Sequence, residues 1–116
     1  MKRLSILLFF ISFTAYSQTY SIDKIDGTNV KSMNMSVTIT EDSVISRLGD
    51  GAGELEVLLI DYEEKDGKRY YYTQIGPPVT ESFYVLYTDK KKTILEQHLI
   101  MTGMNQILKY QVTLIE

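Results

Sequence analysis

The fold is decided by the segment from Leu55 to Ile75, whose sequence is LEVLLIDYEEKDGKRYYYTQI. Two runs rich in apolar and aromatic side chains, residues 55–62 and 69–75, lie on either side of a charged connection. Asp66 and Gly67 in that connection supply the positive φ angles that a tight turn between antiparallel strands requires. The segment therefore predicts a β-hairpin.

Further strands are predicted on both sides of this hairpin. Residues 33–40 alternate between apolar and polar side chains, which is the two-residue period of a half-buried strand. The pair Glu41-Asp42 separates this run from a β-branched run over 44–48, which indicates another hairpin. Strand patterns also occur over residues 82–87 and 107–115, and connections that contain glycine or proline occur at 48–53 and 76–78.

Residues 93–104 fit two kinds of element. In a strand, the even-numbered side chains share one face and the odd-numbered ones the other. In a helix, Thr93 caps the N terminus with Glu96 as its capping-box partner, and Gly103 lies just past the C terminus. We favour the strand, because the neighbouring elements are strands joined by short turns. The alternative is an α+β fold with one helix near 94–102 packed against the sheet.

Together these patterns predict an all-β fold, an antiparallel meander of about seven strands. A single open sheet of that length exposes an apolar face and two edges, so we expect it to curl into a small barrel or split into a sandwich. The expected shape resembles small up-and-down barrels. Residues 18–32 carry weaker signals and are expected to form a mobile arm or a first edge strand.

The first seventeen residues have the three-part layout of a secretory signal peptide. A basic start precedes an apolar run over residues 4–15, and Ala15 and Ser17 place small side chains where a signal peptidase must accommodate them. The run is too short for a membrane-spanning helix, which needs about 20 apolar residues. The layout resembles that of exported proteins of Gram-negative bacteria.

We therefore expect cleavage near Ser17-Gln18 and a single exported β-rich domain over 18–116, periplasmic or extracellular and without a membrane span. The chain has no cysteine, which excludes both a disulfide and a lipid anchor on that residue. Removal of residues 1–17 takes two of the 12 basic side chains with it, so ten face 15 acidic ones and the formal charge becomes −5. This negative balance argues against nucleic acid or an anionic membrane as the partner.

The sequence has no catalytic or metal-binding signature. His98 is the single histidine and there is no cysteine, so an activated nucleophile has few candidates for its base. A small hydrolase that uses Glu96 and His98 is the least favoured interpretation. The carboxylates of 61–66 do not have the spacing of a calcium-binding loop. We expect no enzyme activity, no metal and no cofactor.

Tyrosines are the best candidates for function, although their abundance also fits ordinary strand propensity. A tyrosine offers a flat apolar face with a hydroxyl group, which suits sugars and protein surfaces. We expect a non-catalytic domain that binds a small ligand, glycan or peptide through a tyrosine-bearing sheet face. The alternative is a structural or protein-interaction module of the cell exterior. The candidate binding residues are Tyr70, Tyr72, Tyr84, Tyr87 and His98.

Overall fold

The computed structural model describes residues 17–49 and 51–115. The leader predicted over residues 1–17 lies outside this part of the chain except for Ser17, which begins the first strand. The strands are β1 (Ser17–Ile25), β2 (Thr28–Asn29), β3 (Ser36–Thr40), β4 (Ser43–Arg47), β5 (Glu54–Lys65), β6 (Lys68–Gln74), β7 (Val79–Asp89), β8 (Lys92–Met101) and β9 (Met104–Leu114). A 3₁₀ turn, Lys31–Met33, lies between β2 and β3.

Eight of these strands form a closed antiparallel barrel. Their order is β1-β3-β4-β5-β6-β7-β8-β9, and β1 pairs with β9 to complete the ring. The short β2 pairs with the end of β1. The all-β prediction is confirmed, and the sheet closes as a barrel instead of splitting into a sandwich. Closure also satisfies the backbone groups that an open sheet leaves at its edges.

The first barrel strand is the main correction to the sequence analysis. Residues 18–32 were expected to form a mobile arm or an edge strand, but β1 is hydrogen-bonded along both of its sides. Tyr20 and Ile22 alternate with Thr19 and Ser21, and the two apolar side chains are buried in the core. The predicted count of about seven strands was low because it left out this strand.

The predicted hairpins are confirmed. Asp66 and Gly67 connect β5 to β6 with φ angles of 54° and 77°, and Glu41-Asp42 connects β3 to β4. Residues 92–101 form β8, so the helical alternative for 94–102 is wrong. Gly103, with a φ of 75°, belongs to the β8–β9 turn.

The interior of the barrel is occupied by the protein's own side chains. An eight-stranded barrel has an interior just wide enough for side chains to fill. Here the inward positions hold valine, leucine and isoleucine together with bulky tyrosines. In residues 17–49 and 51–115, no buried side-chain polar atom lacks a hydrogen-bond partner. The inward-facing tyrosines are Tyr20, Tyr62, Tyr71, Tyr84 and Tyr110.

Two β-bulges shape one part of the wall. The β5–β6 register shifts between Leu59 and Asp61, and the β7–β8 register shifts between Val79 and Glu81. A bulge bends its strand and redirects a side chain, and Ile60 in the first bulge is 53% exposed. A search of the described residues for a helix long and apolar enough to cross a membrane finds none.

Candidate functional site

Aromatic side chains form a continuous cluster on the outer wall of β6, β7 and β8. Cross-strand pairing places Tyr72 beside Phe83, and Phe83 beside His98. The two-residue period turns Tyr70 and Tyr87 to the same side of the sheet. We call this set the outer aromatic face; its members are Tyr70, Tyr72, Phe83, Tyr87 and His98.

Four rings of this face, those of Tyr70, Tyr72, Phe83 and His98, contact one another. The Phe83 and His98 rings are stacked, with centroids 4.5 Å apart and an interplanar angle of 9°. The centroid of Phe83 is also 5.5 Å from that of Tyr72 and 6.3 Å from that of Tyr70. Val85 faces outward between Tyr70 and Glu96 in the sheet and is nevertheless only 4% exposed. The outer aromatic face is therefore a packed surface with fixed ring positions.

Tyr84 is the predicted site residue that does not belong here. It is 5% exposed and lies inside the barrel, opposite Tyr71 on β6 and Gln97 on β8. Tyr84 and Tyr87 are three residues apart, and an odd spacing places two side chains on opposite faces of a strand. Grouping Tyr84 with the other tyrosines was therefore wrong. Phe83 was missed, although the same alternation places it on the same face of β7 as Tyr87.

A hydrogen-bonded group of three side chains borders the face. The Tyr87 hydroxyl donates to Glu96 Oε2, and His98 Nε2 lies 2.9 Å from Glu96 Oε1. Burial raises the pKa of the Glu96 carboxyl, but the hydrogen bonds from Tyr87 and His98 and the charges of His98 and Lys68 bring that pKa below its ordinary value. Burial, the hydrogen bond to Glu96 and its charge raise the pKa of Tyr87 to about 12.

The same group bears on the hydrolase interpretation. A carboxylate beside an imidazole is two parts of a catalytic triad, and the third part is a nucleophile next to the imidazole. In this structure the third hydrogen-bonded member is Tyr87, which binds the carboxylate and not the imidazole. Glu96 thus bridges the Tyr87 hydroxyl and the imidazole of His98, whose ring stacks on Phe83.

Two lysines lie over tyrosine rings of the outer aromatic face. Lys68 Nζ is 4.6 Å from the ring centroid of Tyr87, and Lys65 Nζ is 5.5 Å from that of Tyr70. A cation within about 6 Å of a ring centroid is attracted by the negative face of the ring. These tyrosines are thus already placed to interact with ammonium groups.

A cleft opens beside Tyr72, where the two bulges bend the wall. Its volume is about 290 Å³, just below the range of roughly 300–1,000 Å³ that is common for small-molecule sites. The Tyr72 hydroxyl donates to Glu63 Oε1 over 3.2 Å. Burial raises the pKa of Tyr72, and the charges of Glu63 and Glu81 raise it further. The residues that line the cleft are Ile60, Asp61, Tyr72, Thr73, Thr80, Glu81 and Ser82.

Neither metal geometry nor known relatives assign a role to this surface. Within the described ranges 17–49 and 51–115, no three or more histidine, aspartate or glutamate side chains are grouped so that they could hold a metal ion. No family model, curated protein or solved structure matches the chain. Function therefore has to be inferred from the chemistry of the barrel wall.

Proposed function

We propose that the chain is a small exported binding module that holds a small ligand, glycan or peptide on its outer aromatic face. The observation that carries this proposal is the division of the aromatic residues between two surfaces. Large side chains fill the interior of the barrel, whereas Tyr70, Tyr72, Phe83 and His98 form a contiguous cluster on the outside. A ligand therefore meets aromatic rings on the outer wall.

The face has physical properties that favour binding. Tyrosine and phenylalanine provide large contact areas and few rotatable bonds, so little conformational entropy is lost when they become buried. Ring stacking and the hydrogen bonds to Glu63 and Glu96 already hold these side chains in place. Binding to a surface that is already ordered avoids much of the usual entropic cost.

Export remains part of the proposal, and cleavage at the expected site is compatible with the barrel. The junction between Ser17 and Gln18 falls at the beginning of β1, so cleavage there removes one residue of that strand. The pairs from Gln18 opposite Ile39 to Ser21 opposite Ser36 remain in the shortened chain. The exported domain thus keeps all eight strands of the barrel.

A protein-interaction role of the cell exterior is the second candidate. It is favoured by apolar side chains that flank the outer aromatic face, among them Leu58 and Ile60 on β5 and Ile107 on β9. Ile107 pairs directly with His98 in the sheet. A patch of this kind is a common feature of protein contact sites. Sedimentation at increasing concentration tests self-association, and a mass that stays monomeric counts against that form of the second candidate.

The experiment for the first candidate is an NMR titration of the ¹⁵N-labelled domain with neutral oligosaccharides and short peptides. Binding at the proposed face shifts resonances of β6, β7 and β8 and leaves those of β3 unchanged. The double variant Tyr70→Ala with Tyr72→Ala should lose the shifts. Ile45→Ala, an apolar side chain on the outer wall of β4, is the matched control. Shifts confined to β1, β3 and β4, or no shifts with any probe, overturn the proposal.

A further inference from the structure

We propose that the cleft beside Tyr72 binds a cationic side chain, arginine or lysine, so that the partner of this face is a basic peptide segment. This inference rests on the proposed function and names the partner class for the same face. Three observations support it: the size of the cleft, the charges around it, and the contacts between lysines and other tyrosine rings of the same face.

The shape of the cleft limits what it can hold. The bulge at Ile60 and the bulge before Glu81 form its two sides, and Tyr72 lies between them. A volume of about 290 Å³ suits one long side chain or a small amine rather than an oligosaccharide. The row of aligned outward residues Tyr72, Phe83, His98 and Ile107 continues away from the cleft across successive strands. Neighbouring strands are about 4.8 Å apart, so this row gives the rest of a peptide an apolar track.

The charges around the cleft select the sign of the ligand. Asp61 and Glu81 line it, and Glu63 is hydrogen-bonded to the Tyr72 hydroxyl at its border. All three side chains belong to strands β5 and β7, which border Tyr72 on either side. An ammonium or guanidinium group gains both their charge and hydrogen bonds to their oxygens. A carboxylate or phosphate is repelled at the same place.

The two other tyrosines of the outer aromatic face already contact cations. Lys68 and Lys65 place their ammonium groups over the rings of Tyr87 and Tyr70. Tyr72, in contrast, lies near the carboxylates of Glu63 and Glu81, and the lysine–tyrosine contacts found among residues 17–49 and 51–115 do not involve its ring. A cationic side chain from outside the barrel therefore finds an aromatic wall and acidic partners together, which is the combination that recognises guanidinium and ammonium groups.

The test uses an N-acetylated, C-amidated pentapeptide of alternating arginine and glycine, titrated at low salt into the ¹⁵N-labelled domain. The control peptide carries citrulline, a neutral analogue of arginine, at the same positions. We expect the arginine peptide to shift resonances around Tyr72 and to bind at least tenfold more tightly than the citrulline peptide. Glu63→Gln and Glu81→Gln should each weaken binding about two- to fivefold, as for exposed charge pairs. Asp26→Asn, directly after β1, which is the strand opposite β6 in the ring, should leave it unchanged.

The possible outcomes separate this inference from the proposed function. Equal binding of the two peptides, or binding of a neutral oligosaccharide but not the arginine peptide on the outer aromatic face, overturns the inference and leaves the function standing. No shift in β5 to β8 with any probe overturns both. If the cleft instead takes Lys90, Lys91 or Lys92 of a second copy, mass rises with protein concentration and falls when these lysines are changed to serine. That result replaces the peptide partner with self-association.

Discussion

Replacement of Leu95 by alanine tests which side chains of the barrel wall point into the core and which point outward. Leu95 is the largest of the fully buried side chains, 1% exposed, and pairs with Leu86 and Tyr110 across the sheet. Removal of a buried leucine side chain costs about 2–5 kcal/mol, because packing is lost and a cavity remains. Ile107 is the matched control, since it belongs to the neighbouring strand but faces outward and is 54% exposed. Its replacement by alanine should cost about 1 kcal/mol or less.

The assay is urea unfolding of the 18–116 domain, followed by circular dichroism and tyrosine fluorescence. A loss of about 3 kcal/mol, with a urea slope of about 1.5 kcal/mol per molar, lowers the midpoint by about 2 M. Ile107→Ala should lower it by less than about 0.7 M. Equal midpoints for Leu95→Ala and Ile107→Ala, with unchanged slopes, would refute the assignment of odd-numbered β8 residues to the interior.

Two other predictions concern the pKa values of two tyrosines and the backbone at Gly49. Burial is the main cause that raises the pKa of both Tyr87 and Tyr110 to about 12, so their neutral forms stabilise the fold fully below an unfolded pKa near 10. The free energy of unfolding should therefore fall as the pH rises from about 10 to 12. Tyrosinate absorbance at 295 nm measures the ionisation of these side chains, and complete ionisation of all tyrosines near pH 10 in the folded protein would contradict the prediction. Gly49 has a φ of 125°, and a Cβ there would lie 2.9 Å from the Met33 carbonyl oxygen. Gly49→Ala should therefore lower the free energy of unfolding by about 1–3 kcal/mol, whereas Gly76→Ala, with open space around it, should change it by less than about 0.5 kcal/mol; equal melting temperatures for the two variants would contradict this reasoning.

Local signals were sufficient to predict most of the strands. Asp66-Gly67 determines the β5–β6 turn because few other dipeptides tolerate two consecutive positive φ angles. The alternation predicted over residues 33–40 and 107–115 appears in β3 only from Ser36 and in β9 as far as Leu114, because one side of each strand packs inside the barrel. Met33 belongs instead to the 3₁₀ turn before β3. For residues 94–102, the local sequence fits a strand and a helix equally well, because Thr93 and Glu96 form a helix-capping pattern. The neighbouring strands were needed to favour the strand.

Long-range pairing could not be predicted from these signals. The ring closes because β1 pairs with β9 at the other end of the chain, for example Ile22 opposite Val112. No local pattern specifies that contact, and without it β1 resembles an edge strand. The bulges at Ile60 and before Glu81 are register shifts within the β5–β6 and β7–β8 pairings, and no residue pattern marks them, so the cleft beside Tyr72 was not foreseen.

The composition of the site was predictable in part. Tyr70 and Tyr72 were correctly placed together because their spacing is two, and the same rule separates Tyr84 from Tyr87. Contact between Phe83 and the tyrosines depends on the β6–β7 register, which the sequence does not state. The three carboxylates near Tyr72 come from two strands and meet only in the folded wall.

Intermolecular nuclear Overhauser effects between the arginine pentapeptide and the aromatic rings would show which side of the barrel wall binds the ligand. If the ligand lies on the outer wall, its side-chain protons should show contacts to the rings of Tyr72 and Phe83 and none to Tyr71 or Tyr84. Contacts to Tyr71 and Tyr84 would place the ligand inside the barrel and refute binding on the outer wall.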